Sequence, residues 1–271
     1  MNILEKIIAF KRKEVAERKE LYPVKLLEQS IYFETEVASL KKYLLREDKS
    51  GIIAEFKRRS PSKGDINPYA SVERVSIGYM QAGASALSIL TDSHFFGGKN
   101  GDLTAARKFN FCPILRKEFI IEEYQLVEAK SIGADAILLI AECLEKQQLA
   151  QLAKTAKALG LEVLMEIHSR GQLEKYTTDI DAIGVNNRNL ENFEVSIAAS
   201  LDLAEALPAE VIKVSESGLN DPQAIVALRQ SGYQGFLIGE HFMREADPGK
   251  ACREFIRQVQ HIEELLHNAI A

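Results

Sequence analysis

The sequence predicts an α/β protein built as a (β/α)8 barrel with an N-terminal helical extension. Three observations lead there. Eight short aliphatic runs follow Gly51, and near-continuous apolar runs of that length suit parallel strands buried on both faces. Amphipathic stretches separate the runs, and glycine closes several of them, as at a helix C-terminus. The 271 residues also fit one barrel, a fold that takes about 200–250 residues as a single domain. We therefore read residues 1–271 as one domain, with residues 1–46 as a helical extension within it.

The extension comes first. Leu4, Ile7 and Ile8 form a stripe at helical spacing flanked by Phe10. Pro23 breaks the pattern, Val24, Leu26 and Leu27 begin a second short helix, and Leu40, Tyr43 and Leu44 belong to a third. Lys11-Arg12-Lys13, followed by Glu14, Glu17 and Glu20, reads as a solvated helix face. Eight βα units are complete without this segment, so it is expected to help close the site and to lie outside the barrel proper.

The strands are read at Ile52–Phe56, Ala86–Leu90, Pro113–Leu115, Ala136–Ile140, Glu162–Met165, Ala182–Val185, Val211–Val214 and Gly235–Ile238. Helices are clearest at Glu123–Ser131, Leu144–Leu159 and Pro222–Gln230, the last with Asp221 as N-cap. Gly83, Gly133, Gly160 and Gly232 fall where a C′ glycine belongs. A doubly wound open sheet is the alternative, but no GxGxxG follows the first strand.

Chemistry in such a barrel sits at the C-terminal ends of the strands. Those ends carry Glu55 and Lys57, Thr91-Asp92, Arg116-Lys117-Glu118, Glu142, Glu166, Asn186-Asn187-Arg188, Glu216-Ser217-Gly218 and Gly239-Glu240. Glu55 and Lys57 are two apart and share one strand face. Taken singly, each charged residue reads as a solvated rim residue; converging on one rim, they read as a site. Lys57, Arg58, Arg59, Lys63, Arg116, Lys117 and Arg188 make that rim basic, which suits a small, highly anionic substrate. Gly218 and Gly239 either permit tight turns or let an anion approach the backbone, since the loops after strands seven and eight recur as phosphate sites in this fold. Phe95-Phe96-Gly97-Gly98 either stacks on an aromatic ligand or anchors its loop. His94, His168 and His241 read as structural or rim residues.

Composition excludes other classes. Hydrophobic residues at 46% and charged residues at 27% argue against disorder. A net charge of −5 argues against a nucleic-acid or anionic-membrane surface. Cys112, Cys143 and Cys252 lack the spacing of a disulfide framework or zinc knuckle, and the histidines lack ligand spacing, so no metal is expected. The start does not resemble a targeting segment, and no run approaches the roughly 20 apolar residues of a membrane span. A cytoplasmic protein is the expectation.

These motifs resemble the indole-3-glycerol phosphate synthase family. The resemblance rests on Ile53-Ala54-Glu55-Phe56-Lys57-Arg58-Arg59-Ser60-Pro61-Ser62, Leu90-Thr91-Asp92, Phe95-Phe96-Gly97-Gly98 and Leu115-Arg116-Lys117-Glu118-Phe119. It continues through Glu166-Ile167-His168, Gly184 to Leu190, Ser215-Glu216-Ser217-Gly218 and Leu237-Ile238-Gly239-Glu240. Glu118 departs from the aspartate that often follows the lysine in this family, a change expected to touch that lysine's ion pairing. The resemblance implies a lyase of tryptophan biosynthesis that converts 1-(2-carboxyphenylamino)-1-deoxyribulose 5-phosphate to indole-3-glycerol phosphate, carbon dioxide and water. It implies no cofactor and no metal. Lys117 is the implied acid for ring closure, Glu166 and Glu55 are bases or relays, and Lys57 is a second acid. Ser60, Phe96, Phe119, Asn186, Arg188 and Glu216 are the implied substrate contacts, with Ser217, Gly218, Gly239 and Glu240 cradling phosphate. The expected partner is the small anionic sugar phosphate, with no nucleic acid, no membrane and no second subunit. Two rivals are another phosphate-binding barrel enzyme, such as a sugar-phosphate isomerase or a Schiff-base aldolase, and a catalytically silent binding or scaffold barrel, which should have lost the strand-end charges that this chain retains.

Overall fold

The computed structural model describes residues 2–189 and 194–270. Eight parallel strands close into a barrel: β1 (Ile52–Phe56), β2 (Ala86–Leu90), β3 (Ile114–Lys117), β4 (Ala136–Ile140), β5 (Glu162–Ile167), β6 (Ala182–Asn186), β7 (Ile212–Glu216) and β8 (Gly235–Ile238). Each strand pairs with its sequence neighbours, and β1 closes the ring against β8. This is a TIM barrel. A two-residue hairpin, Arg59–Ser60 with Gly64–Asp65, follows β1.

Alternation along the strands sorts the core into two shells. Ile53, Leu115, Leu138, Leu164 and Val214 point inward and fill the barrel. Ile52, Leu87, Ile114, Val163 and Phe236 point outward, under the helices. The glycines read as helix stops have φ between 75° and 98°, a left-handed conformation that is strained for other residues.

Three helices form the N-terminal extension: α1 (Ile3–Leu21), α2 (Val24–Leu27) and α3 (Leu40–Leu44). Asn2 caps α1 in a reciprocal box with Glu5. The extension does not lie wholly outside the barrel, as the sequence suggested. Leu40 and Leu44 of α3 are buried in the inner shell with Ile53 and Ile212, and so plug the N-terminal end. The opposite end is roofed by Ile3, Leu4 and Ile7 of α1. The two ends of one segment thus serve the two ends of the barrel. Among the described residues, no helix is long and apolar enough to cross a membrane.

Candidate active site

The strand ends surround a cavity of about 460 Å³ at the C-terminal mouth. The predicted site residues all line it: Glu55, Lys57, Ser60, Phe96, Lys117, Phe119, Glu166, Asn186, Arg188, Glu216, Ser217, Gly218, Gly239 and Glu240. Leu138, Ile140 and Leu237 contribute apolar surface. Leu190 of the sixth-strand motif lies outside the described residues.

The centre is a ladder of charges carried by the last inward-facing residues of the strands. Register places Asn186 beside Glu216 and Lys117 beside Leu90. The Lys117 ammonium lies 3.0 Å from Glu166 Oε2 and 3.4 Å from Glu216 Oε2. Asn186 donates its amide to Glu166 Oε1 at 3.0 Å, and its own Oδ1 accepts the Arg188 backbone N–H. The second lysine, Lys57, donates to Glu55 Oε1 at 2.8 Å, and Ser88 donates to Glu55 Oε2 at 3.3 Å.

Three buried carboxylates facing two ammonium groups cannot all be equivalent. Burial opposes charge on Glu166, but Lys117, His168 and Asn186 outweigh it and hold this carboxyl well below the usual range. Burial instead prevails at Glu216, where the negative neighbours Glu166 and Glu55 add to it, and its pKa is raised despite Lys117. Burial also pulls down the Lys117 ammonium, yet Glu166, Glu216 and Glu55 more than offset this and raise its pKa. The three carboxylates therefore share the two ammonium groups unequally, with charge favoured on Glu166 and disfavoured on Glu216.

Two glycines make room for those carboxyls. A Cβ on Gly184 would fall 2.0 Å from Glu216 Oε1, and one on Gly239 would fall 2.6 Å from Glu55 Oε1. Gly184 was not singled out in the sequence, although a glycine inside a strand commonly marks a close approach. Gly239 thus has a steric task as well as its place in the predicted phosphate cradle. His168, which the sequence places among structural or rim residues, lines the cavity with Nε2 3.6 Å from Glu166 Oε1, and neither ring nitrogen has a hydrogen-bond partner.

The phenylalanine pair divides its tasks. Phe95 packs edge-on against Phe10 and His94 and so anchors the β2 loop, whereas Phe96 faces the cavity with its ring 5.9 Å from Phe119. At the far side, Ser217 and Gly218 both have positive φ, and a Cβ on Gly218 would meet Val195. The Glu240 carboxylate sits 3.8 Å from Lys63 and 3.7 Å from Arg188.

Several sequence readings need correction. Arg116 does not contribute to a basic rim: it is fully buried on the outer face of β3, bound to Glu128, Thr91 and the Gln125 carbonyl. Arg58 is likewise taken up by Asp102. Glu118 does not pair with Lys117, since adjacent strand residues face opposite ways; its partners are Lys11 and Thr91. Lys11 is not solvated but 1% exposed.

An eight-stranded barrel with acids, ammonium groups and an amide converging at its C-terminal mouth defines a (β/α)8 enzyme. Comparisons narrow the class. A family model described as indole-3-glycerol phosphate synthase matches residues 4–255. The chain is 49% identical over 259 residues to the indole-3-glycerol phosphate synthase of Bacteroides thetaiotaomicron, covering 96% of this chain and 99% of that one. It is 42% identical to the same enzyme of Carboxydothermus hydrogenoformans, covering 92% and 97%. Among solved structures, 3-hexulose-6-phosphate synthase from Salmonella typhimurium superposes with a TM-score of 0.61 at 11% identity, covering 78% of this chain and 98% of that one. Thiamine phosphate pyrophosphorylase from Pyrococcus furiosus does so with 0.57 at 14%, covering 82% and 99%. Those two share the fold alone. The chain belongs to the indole-3-glycerol phosphate synthase family.

Proposed function

We propose that this mouth carries out the ring closure that makes indole-3-glycerol phosphate from 1-(2-carboxyphenylamino)-1-deoxyribulose 5-phosphate, a step of tryptophan biosynthesis. The observation that carries the reading is Lys117, whose ammonium sits within the cavity between Glu166 and Glu216. The aryl carbon bearing the carboxylate attacks the ketone carbon, and the ketone oxygen becomes an alkoxide. An ammonium already held by carboxylates meets that charge without reorganisation and then gives up its proton, because an alkoxide is a stronger base than an amine. Loss of carbon dioxide restores aromaticity. Dehydration follows, with Lys57 as acid for the leaving hydroxyl and Glu166, ionised in the free site, as base; Glu55 holds Lys57 in place.

Phe96 and Phe119 form the wall for the aryl ring, with Ser60, Asn186 and Arg188 orienting the rest. Ser217, Gly218, Gly239 and Glu240 cradle the phosphate through backbone N–H groups, while the Glu240 carboxylate draws Lys63 and Arg188 toward the same place. The reading extends to a cytoplasmic monomer that binds this sugar phosphate and neither nucleic acid nor cofactor. A Schiff-base aldolase would need a lysine that gives up its proton readily, and Lys117 is held charged by its neighbours.

The test is fluorescence detection of the indole product, with Lys117→Met beside the wild type. The variant should lose at least about 10²-fold in single-turnover rate, while affinity for indole-3-glycerol phosphate stays within about tenfold. Near-normal turnover would move the acid role to Lys57.

A further inference from the structure

The roof helix α1 is apolar where it meets the cavity, through Ile3, Leu4 and Ile7. One turn beyond Ile7 it sends a lysine inward. Lys11 is 1% exposed, and its ammonium lies 2.8 Å from Asp92 Oδ2, 2.9 Å from Glu118 Oε1 and 2.6 Å from Glu14 Oε2. Here two carboxylates come from different strand ends, and each has a second task. Asp92 Oδ1 accepts the backbone N–H groups of Phe95 at 2.7 Å and Phe96 at 3.1 Å. Glu118 Oε1 accepts the N–H of Phe119 at 2.8 Å, and its Oε2 accepts the Thr91 hydroxyl at 2.7 Å. Lys11 is therefore one carboxylate removed from each of the two rings that face the cavity.

We propose that Lys11 is a positioning residue for the substrate's aryl group: by drawing Asp92 and Glu118 to one ammonium, it sets the gap between the rings of Phe96 and Phe119 and couples that gap to the seating of α1. The stack of Phe10 on His94, with centroids 4.2 Å apart, holds the same helix to the same β2 loop. The inference rests on the reading of Phe96 and Phe119 as the ring-binding wall.

Full-length wild type, Phe119→Ala, Lys11→Met and the double variant should be titrated with indole-3-glycerol phosphate and assayed for KM and kcat, well below their unfolding temperatures. Phe119→Ala should weaken product binding about tenfold or more. Lys11→Met should raise KM and weaken product binding by a similar factor, with kcat much less affected. The double variant should bind no more than about threefold worse than Phe119→Ala, because residues acting through one contact are not additive. Unchanged affinity in Phe119→Ala overturns the wall reading. Loss in Phe119→Ala with wild-type affinity in Lys11→Met overturns the role of Lys11, as does full additivity. Should Lys11→Met fail to fold, Lys11→Met/Asp92→Asn/Glu118→Gln leaves no buried charge uncompensated; weakened product binding there supports the proposal, and wild-type affinity overturns it.

Discussion

Two buried charge networks lie on opposite faces of the same strand β3, one residue apart. Lys117 faces the cavity with Glu166 and Glu216; Arg116 faces outward to Glu128, which also takes Arg18. In the outer network every guanidinium nitrogen is bound: beyond Glu128, Arg116 also donates to Thr91, Asn100 and the Gln125 carbonyl. The inner network is left short. Three carboxylates share two lysines, Glu216 Oε1 has no hydrogen-bond partner, and both nitrogens of His168 are unpartnered. A fully satisfied buried network rigidifies, whereas an unsatisfied one keeps bonding capacity for a ligand. That contrast distinguishes framework from site more sharply than charge or burial does.

The largest expected effect is on the framework side. Arg116→Met removes a large, fully buried side chain and, among the described residues, leaves Glu128 with Arg18 as its remaining cation. Breaking one side of a buried pair costs about 3–5 kcal/mol. Urea unfolding should show a loss of that size, while kcat in the folded variant stays close to wild type. A stable variant with a collapsed kcat would erase the distinction between the two faces.

On the site side, Gly184→Ala adds one carbon where Glu216 Oε1 now sits, 2.0 Å from the ideal Cβ. Glu216 has to move and Lys117 with it, and a misplacement of about 1 Å near the reacting atoms costs about 10²-fold in rate. The expected outcome is a fall in kcat of that order with a far smaller change in stability than Arg116→Met causes. Wild-type turnover would mean that the position of Glu216 is immaterial.

The same two faces explain what the sequence could and could not convey. The aliphatic runs located all eight strands, and every start agrees within a residue. The ends of four were cut short: β3 runs to Lys117, β5 to Ile167, β6 to Asn186 and β7 to Glu216. An apolar run stops at the first polar residue, but the backbone ladder does not. The last inward residues of these strands are polar because they face the cavity. Their positions at strand ends were thus legible, and so was their convergence on one rim. The outer partners were not. Lys11 has Glu14 as its visible neighbour at i+3, a pattern shared by any solvated helix, and nothing local signals Asp92 or Glu118. Arg116 and Lys117 look alike in sequence; only strand alternation sends one to the framework and the other to the site. Gly184 was visible as a glycine inside a strand, but the carboxylate needing its space comes from the next strand.

The smallest effect, and the finest probe of the inner network, concerns pH. Glu216 holds its proton above the ordinary carboxylate value of 4.5 because burial, Glu166 and Glu55 all oppose its charge. Glu166 lies below that value, because Lys117 and His168 outweigh burial. The signs follow from proton counts. A carboxyl with a raised folded pKa binds more protons folded than unfolded, so Glu216 makes the protein less stable as pH rises above about 4.5 toward its folded value. A carboxyl with a lowered pKa does the reverse, and the stability Glu166 confers is lost only as pH falls below the ordinary range. With Lys117 as the proposed acid, ionising Glu216 places a second negative charge against its ammonium and makes it a poorer acid. The kcat/KM profile should therefore fall on its alkaline side as Glu216 titrates. Glu216→Gln, neutral at every pH, should lower the plateau through its lost contacts but move that alkaline fall to higher pH. A variant profile that falls where the wild type does would show that another group sets the limb.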